Sequence, residues 1–382
     1  MAQAGPDCRK LSEKERLAWL RLARTENVGP VTFRKLIGRF GSATTALEAL
    51  PGLSRNGGSK RDPRICSSDA AAIELEAADR LGCQLVCSCE PQYPSALRSA
   101  DGAPPLLTVK GSMSAFARPF VAIVGSRNAS AVGGRIARTL SADIGESGYG
   151  IVSGLARGID AAAHEAALET GTVAVMAGGL DRPYPPQNIA LFEKICAGGN
   201  SAAVSEMPLG WEARARDFPR RNRIIAGMAL GLIVVEAAKK SGSLISARLA
   251  GELGRLVFAV PGSPLDPRAK GTNDLIKDGA ILTTGAGDVV DALAPLSGNL
   301  TSHGGAQMMF EEEKIAVEQQ AGPTDRSRTQ VAGALGPAPV AIDEIVRHTG
   351  LLPAEIYVVL LELDLAGRLA RHPGGMVSLL PA

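Results

Sequence analysis

From residue 120 onward the chain repeats one unit: a short run of wholly apolar residues, then a stretch long enough for a helix. The runs are Val121–Val124, Gly150–Val152, Val173–Met176, Ala202–Val204, Leu232–Val235, Val257–Val260 and Ala280–Leu282. A strand with one wet face alternates apolar and polar residues, so a strand apolar at every position has both faces covered. Helix-length connections, rather than two-residue turns, join parallel strands. The pattern therefore predicts a parallel sheet sandwiched between two layers of helix.

In such a sheet, ligands bind beyond the carboxyl ends of the strands. The first run leads into Gly125-Ser126-Arg127 and the second into Ser153-Gly154-Leu155-Ala156-Arg157-Gly158-Ile159-Asp160. A third ends at Gly178-Gly179, and a later one at Glu236, ahead of Ser241-Gly242-Ser243 and a helix. Glycine lets backbone amides approach a ligand, serine adds donors, and a helix N-terminus favours anions. Gly125, Ser126, Arg127, Ser153, Gly154, Ala156, Arg157, Gly158, Ser241, Gly242 and Ser243 thus read as a phosphate or phosphodiester cradle. The segment 214–223 adds five arginines within ten residues. Of these, Arg221 and Arg223, with Asn222 between them, are assigned to the same edge, on a loop ahead of Leu232. A guanidinium fork suits phosphate oxygens. The competing reading is a solvated turn whose arginines pair with carboxylates such as Asp160 or Asp217 and hold the loops in shape.

Other ligands fit less well. Gly125 lacks the GxGxxG spacing, and no acidic residue closes the second strand to meet a ribose, so a nicotinamide cofactor is not expected. The phosphate-loop pattern GxxxxGK[ST] is missing too. Asp160 and His164 lie four apart, at the spacing of one helical face, but Asp160 sits where an N-cap belongs, and capping is the preferred reading over acid–base work. Cys83, Cys87 and Cys89 have the wrong spacing for zinc and no nearby histidine. Reduced thiols, no metal, no cofactor and no catalytic residues are expected. Aromatic residues are 4% of the chain, which argues against a grip built mainly on base stacking.

The termini read differently. Residues 12–80 are helical in pattern, and Asn27-Val28-Gly29-Pro30, a helix, then Phe40-Gly41-Ser42 resembles a helix-hairpin-helix; a small helical packing domain is the alternative. Residues 298–337 read as a linker rich in Gly, Pro, Ser, Thr and Gln, with an acidic patch at Glu311–Glu313. Beyond it, two helices and a hairpin through Pro373-Gly374-Gly375 fit a winged helix. Residues 1–66 carry 13 Lys and Arg against 6 Asp and Glu, whereas residues 291–382 carry 6 against 11. A basic front suggests a polyanionic partner, or else a solvated face. The second helix of the winged domain, where DNA would be read, is acidic, so a protein contact is expected of it, with DNA binding surviving truncation near Asn299. No apolar run reaches membrane-spanning length, and the polar stretch Met1–Lys14 is not expected to act as a signal peptide.

Taken in order, Val121-Ala122-Ile123-Val124-Gly125-Ser126-Arg127, Ser153-Gly154-Leu155-Ala156-Arg157-Gly158-Ile159-Asp160 through His164, Tyr184-Pro185, Phe218-Pro219-Arg220-Arg221-Asn222-Arg223-Ile224-Ile225-Ala226-Gly227, Ser241-Gly242-Ser243-Leu244-Ile245, Val257-Phe258-Ala259-Val260-Pro261-Gly262 and Gly271-Thr272-Asn273 resemble the DprA (DNA-processing protein A, or Smf) family of bacterial transformation and recombination mediators. Ser246 stands where that family usually carries threonine. The resemblance implies an extended Rossmann-like α/β domain over 81–297, an N-terminal SAM-like or helix-hairpin-helix domain over 1–80 and a C-terminal winged helix over 338–382. It further implies a cytoplasmic homodimer, with no membrane insertion, that binds and protects single-stranded DNA and helps load the RecA recombinase. Two rivals are a nucleotide-processing enzyme using Glu206 or Glu236, and an interaction scaffold with a vestigial pocket.

Overall fold

Capping residues, proline and glycine delimit the first helices where the sequence places them. In this computed structural model, which describes residues 10–301 and 322–380, α1 (Glu13–Ala23) opens with a capping box between Ser12 and Glu15. Helix α2 (Pro30–Phe40) has Pro30 in its first turn and ends at Gly41, whose φ of 71° closes the helix in the left-handed region. Ser42 then caps α3 (Ala43–Asn56). Trp19 packs on Phe33 with ring centroids 4.9 Å apart, tying α1 to α2. Helix α4 (Ser68–Arg80) precedes the sheet.

The sheet has nine strands in the order β1-β2-β6-β5-β4-β3-β7-β8-β9. They are β1 (Cys83–Cys87), β2 (Leu106–Gly111), β3 (Phe120–Val124), β4 (Gly150–Ser153), β5 (Thr172–Val175), β6 (Ala202–Ser205), β7 (Ala229–Val234), β8 (Leu256–Ala259) and β9 (Ile281–Leu282). Strands β3 to β9 run parallel, and the seven apolar runs fall on them. The antiparallel pair β1 and β2, added at one edge, lies outside the run-and-helix pattern of the sequence. The interleaved helices are α5 (Ser95–Arg98), α6 (Ala131–Glu146), α7 (Ile159–Ala166), α8 (Ile189–Ala197), α9 (Asp217–Met228), α10 (Gly242–Glu252), α11 (Lys270–Lys277) and α12 (Ala286–Thr301).

Strand β3 shows why its sequence is unbroken apolar. Val121 and Ile123 join Leu140, Ile144, Ala163 and Leu293 in one core, on the side of α6, α7 and α12. Phe120, Ala122 and Val124 join Ile224, Ile225, Ala247 and Ala250 in the other, beside α9 and α10. Alternate side chains point to opposite faces, and both faces are dry.

The segment 217–228, expected as a loop, is instead the helix α9. Ile224, Ile225 and Met228 are buried on it, and this apolar face outweighs the proline and the charges of its first turns. A second difference lies in the stretch read as linker. Residues 302–321, with Glu311–Glu313, fall outside the described residues, but α13 (Asp325–Ala334) is a helix capped by Thr324. Its polar exposed face hid it; Val331 and Leu335 enter a core with Ile345, Ile356, Leu360, Leu363 and Val377. With β10 (Val340–Ala341), α14 (Ile342–Thr349), α15 (Pro353–Leu365), β11 (Leu369–Arg371) and β12 (Met376–Leu379), it makes a three-helix winged helix with the sheet order β10-β12-β11. The chain divides into two compact units, one built on Ala72–Gly305 and the other on Leu11–Ala71 with the winged helix.

Candidate nucleic-acid interface

Strand order places the site. Moving outward from β3, the chain proceeds through β4, β5 and β6 on one side and through β7, β8 and β9 on the other. Loops leaving β3 and β7 therefore diverge to opposite faces and leave a crevice between them, the topological switch point of an open α/β sheet. A cleft of about 710 Å³ lies there. Gly125, Ser126, Arg127 and Asn128 line one wall, and Lys240, Ser241, Gly242, Ser243 and Ser246 another. Ala156 and Asp160 contribute from the loop after β4, and Phe218, Pro219, Arg221 and Asn222 from α9.

Helix N-termini meet this edge. Ser130 caps α6, and Ser241 caps α10 by accepting from the Ser243 amide at 3.3 Å. The Ser130 hydroxyl and amide also donate to Glu236, which fixes that carboxylate at the start of α6. Arg127 is exposed, and its guanidinium lies 5.2 Å from the centre of the Phe218 ring. Phe218 in turn meets the exposed Tyr184 edge-on at 6.0 Å. Among the described residues no carboxylate pairs with Arg127, and Lys240 is exposed beside it in the lining. The open side of the cleft is therefore cationic, while its single acid, Asp160, is buried at the base.

The loop after β4 is held from below. The Asp160 carboxylate accepts from the amides of Gly154 at 3.1 Å and Ala156 at 3.3 Å. It does not cap α7: that position belongs to Gly158, with φ 78°, and His164 turns to Thr172 instead. Leu155 is buried at φ 55°, a left-handed conformation that a branched side chain adopts only under surrounding constraint. One such constraint is Asn188, which donates to the Leu155 carbonyl at 2.8 Å. Two glycines allow the close approach: a Cβ on Gly154 would fall on the Arg221 guanidinium, and one on Gly158 would strike the Ser126 carbonyl.

Arg221 is the pillar of this arrangement. Only 5% exposed, it donates to the Val175 carbonyl at 2.7 Å and sits beside Asp160. Burial pulls its pKa down to about 10, against the attraction of Asp160. Burial likewise raises the Asp160 carboxyl, with Arg221 and the two amides pulling the other way.

His164 is fully buried, and burial, assisted by Arg221, lowers it from its ordinary 6.5 to about 3. Its Nδ1 lies 2.7 Å from the Thr172 hydroxyl, which gives its own proton to the Ile151 carbonyl, so Nδ1 is the donor. A histidine that stays neutral in the fold but charges when unfolded destabilises the fold as pH falls. Between 6.5 and about 3, stability is expected to drop by roughly 1.4 kcal/mol per pH unit from this group. Urea titrations of parent and His164→Gln at pH 7 and pH 5 check this: the parent should lose about 2 kcal/mol more than the variant.

Of the residues assigned from sequence, the cleft brings together Gly125, Ser126, Arg127, Ala156, Arg221, Asn222, Ser241, Gly242 and Ser243. Ser153, Gly154 and Gly158 lie behind the surface as supports, with the Ser153 hydroxyl donating to the Ile123 carbonyl at 2.5 Å. Arg157 is exposed on the same loop but outside the lining. Arg223 turns away to Glu206 and the Gly102 carbonyl, and Arg220 reaches the same Glu206 at 3.5 Å. The arginine cluster thus divides: Arg221 stands at the cleft, Arg220 and Arg223 on buried Glu206, and Arg214 over the Trp211 ring at 5.0 Å from its centre. The sequence pattern does not single out Asn128, Lys240 or the aromatic backing of Arg127. Lys240 directly precedes Ser241-Gly242-Ser243, a signal that was available. Among the described residues no group of three or more metal-ligating side chains is placed to hold a metal ion, and no helix is long and apolar enough to cross a membrane.

Known proteins share this plan. The family model of DNA recombination-mediator protein A matches residues 84–294, the DprA-like N-terminal HHH domain matches 13–77, and the DprA winged helix domain matches 316–375. Protein Smf of Synechocystis is 33% identical over 396 residues, spanning 95% of this chain and 98% of its own. The X-ray structure of DNA processing protein A from Streptococcus pneumoniae superposes with a TM-score of 0.61 at 32% identity, over 74% of this chain and 98% of that one. The Helicobacter pylori protein, solved for its single-stranded DNA binding mode, gives 0.51 at 27% identity, over 56% and 97%. A family model lying on the sheet that carries the cleft, and a relative matched along nearly the whole of both chains, lead to one conclusion: the chain belongs to the DprA/Smf family of DNA recombination mediators.

Proposed function

We propose that this chain binds single-stranded DNA without altering it, its phosphates lying along the switch-point cleft from Arg127 to Ser243. The observation that carries this reading is the convergence on one open cleft of glycine- and serine-rich loops, two helix N-termini and the exposed Arg127, which no carboxylate among the described residues pairs. Phosphate oxygens suit such donors, and a phosphate grip is indifferent to base sequence. Membership of a recombination-mediator family supports the next step: the bound strand is shielded and handed to the RecA recombinase, by a cytoplasmic homodimer. The Tyr184–Phe218 pair beside Arg127 adds a place for a neighbouring base to stack.

The two carboxylates that an enzyme reading would use are already engaged, Glu236 by Ser130 and Glu206 by Arg220 and Arg223. Affinity for mixed-base oligonucleotides should fall with salt by about 0.7 in log K per log[salt] for each phosphate contact. It should differ little between sequences, and nucleotides should stay intact with or without magnesium. A salt-insensitive, sequence-selective protein, or turnover abolished by Glu236→Gln, contradicts the proposal.

A further inference from the structure

The loops beside the cleft carry the inference. In the unit that holds the sheet, four aromatic side chains among the described residues are not buried, and three of them share this edge. They are Tyr184 on the loop after β5, Trp211 on the loop after β6, and Phe218 in the first turn of α9. The fourth, Phe116, packs on Phe120 at 6.5 Å, at the opposite end of the strands. Tyr93, Tyr149, Phe192 and Phe258 are buried, whereas Tyr184, Trp211 and Phe218 belong to neither core of the sheet.

Trp211 is fixed without its ring being packed away. Its carbonyl accepts from the Gly179 amide at 2.9 Å and its amide donates to the Pro208 carbonyl at 3.3 Å, so the backbone ties this loop to the loop after β5. The indole Nε1 donates to Asp217 at 2.9 Å, and the Arg214 amide donates to the same carboxylate at 2.9 Å. Asp217, only 2% exposed, thus sets ring and arginine side by side, with the Arg214 guanidinium 5.0 Å from the ring centre. The indole is half-buried and its one polar atom is satisfied, so what it offers outward is aromatic surface. The same pairing stands at the cleft, where Arg127 lies 5.2 Å from the centre of Phe218. Along 207–217 the exposed charged residues are Glu212, Arg214 and Arg216, a net positive charge.

This row is continuous with the cleft. Ala215 and Phe218 line the cleft, and β6 stands three strand spacings from β3 in the sheet order, about 14 Å. A strand with its phosphates in the cleft that leaves past Tyr184 comes next to Trp211. Single and double strands both present phosphates, but a base can lie on an aromatic ring only when it is unpaired. We propose that Trp211 with Arg214 is a second base-stacking station beyond Tyr184 and Phe218, and that this aromatic row makes the site select single-stranded over duplex DNA. The inference rests on the cleft reading above. Arg214 meets the phosphate beside the stacked base, and because every base has a π face the station adds no sequence preference.

Tryptophan emission of the full chain tests this. The chain has two tryptophans, and Trp19 is 8% exposed and packed on Phe33 in the other unit. A change in emission that vanishes in Trp211→Phe therefore belongs to Trp211. Saturating oligothymidylate is expected to quench the parent, and Trp211→Phe should lose the quench yet bind nearly as tightly, since a ring remains. Trp211→Ala should bind oligothymidylate about fivefold or more weakly, the loss of one base stack. An abasic strand of equal length and a duplex should bind this variant as they bind the parent. Unchanged emission at saturation overturns the proposal. So does a Trp211→Ala variant that loses abasic-strand and oligothymidylate affinity alike, because Trp211 then only shapes the loop. Should that variant fail to fold, seen as lost cooperative melting, the parent decides: equal affinity for abasic strand and oligothymidylate overturns the proposal. The cleft fails separately. Weaker binding by Arg127→Ala with no quench in the parent keeps the cleft and overturns the stacking station, whereas oligothymidylate that does not bind the parent overturns both.

Discussion

Arg221→Ala is expected to lower stability and single-stranded DNA affinity together. Its guanidinium is buried, bonded to the Val175 carbonyl and set beside the buried Asp160. Removing it takes from the buried Asp160 the nearby positive charge that favours its ionised form and leaves the buried Val175 carbonyl without that donor, a loss of about 1–3 kcal/mol. For a domain of this size that lowers the melting temperature by roughly 2–4 °C for each kcal/mol. The loop 153–158 loses the group against which Gly154 packs, so Ala156 and the start of α7 leave their places at the cleft and affinity falls with stability. The sequence alone suggests a different result for this residue, a loss of affinity at constant melting temperature. Calorimetry and anisotropy on the same sample separate the two. Unchanged melting with weakened binding would mean that Arg221 reaches DNA directly.

Arg127→Ala should behave in the opposite way. The side chain is exposed, stacked on Phe218 and without a carboxylate partner among the described residues, so little of the fold depends on it. A charge-assisted bond to phosphate contributes about 1.5–3 kcal/mol, which corresponds to roughly ten- to a hundredfold in affinity. The salt slope should drop by about 0.7, one contact, while the melting temperature holds. Arg157→Ala should cost less, because Arg157 stands on the same edge but outside the lining of the cleft. Equal binding by Arg127→Ala and the parent would place the strand elsewhere.

The parallel sheet was legible because burial on both faces leaves no polar residue in a strand such as Phe120–Val124. That the glycine- and serine-rich loops gather at one sheet edge was legible, because each directly follows an apolar run that ends a strand. Strand order was not: nothing in the residues of β3 and β7 says that they are neighbours, yet that adjacency makes the cleft. Nor could sequence divide the arginines. Arg127, Arg221 and Arg223 are the same residue type within one apparent edge, and only packing makes one exposed, one a buried pillar and one a partner of Glu206. Helix α9 read as a loop because its first turns hold Pro219 and several charges, and α13 read as linker because most of its residues are polar. In both, a few buried apolar residues decide the outcome, below the threshold at which periodicity is visible.

A crystal of the full chain with a short oligothymidylate tests the location of binding most directly. Backbone phosphates within about 2.7–3.2 Å of Ser126, Arg127 and the amides at Ser243 are expected, with the strand running along the cleft between the loops after β3 and β7. An oligonucleotide seated elsewhere on the molecule, with that cleft holding only solvent, would contradict DNA binding at this edge.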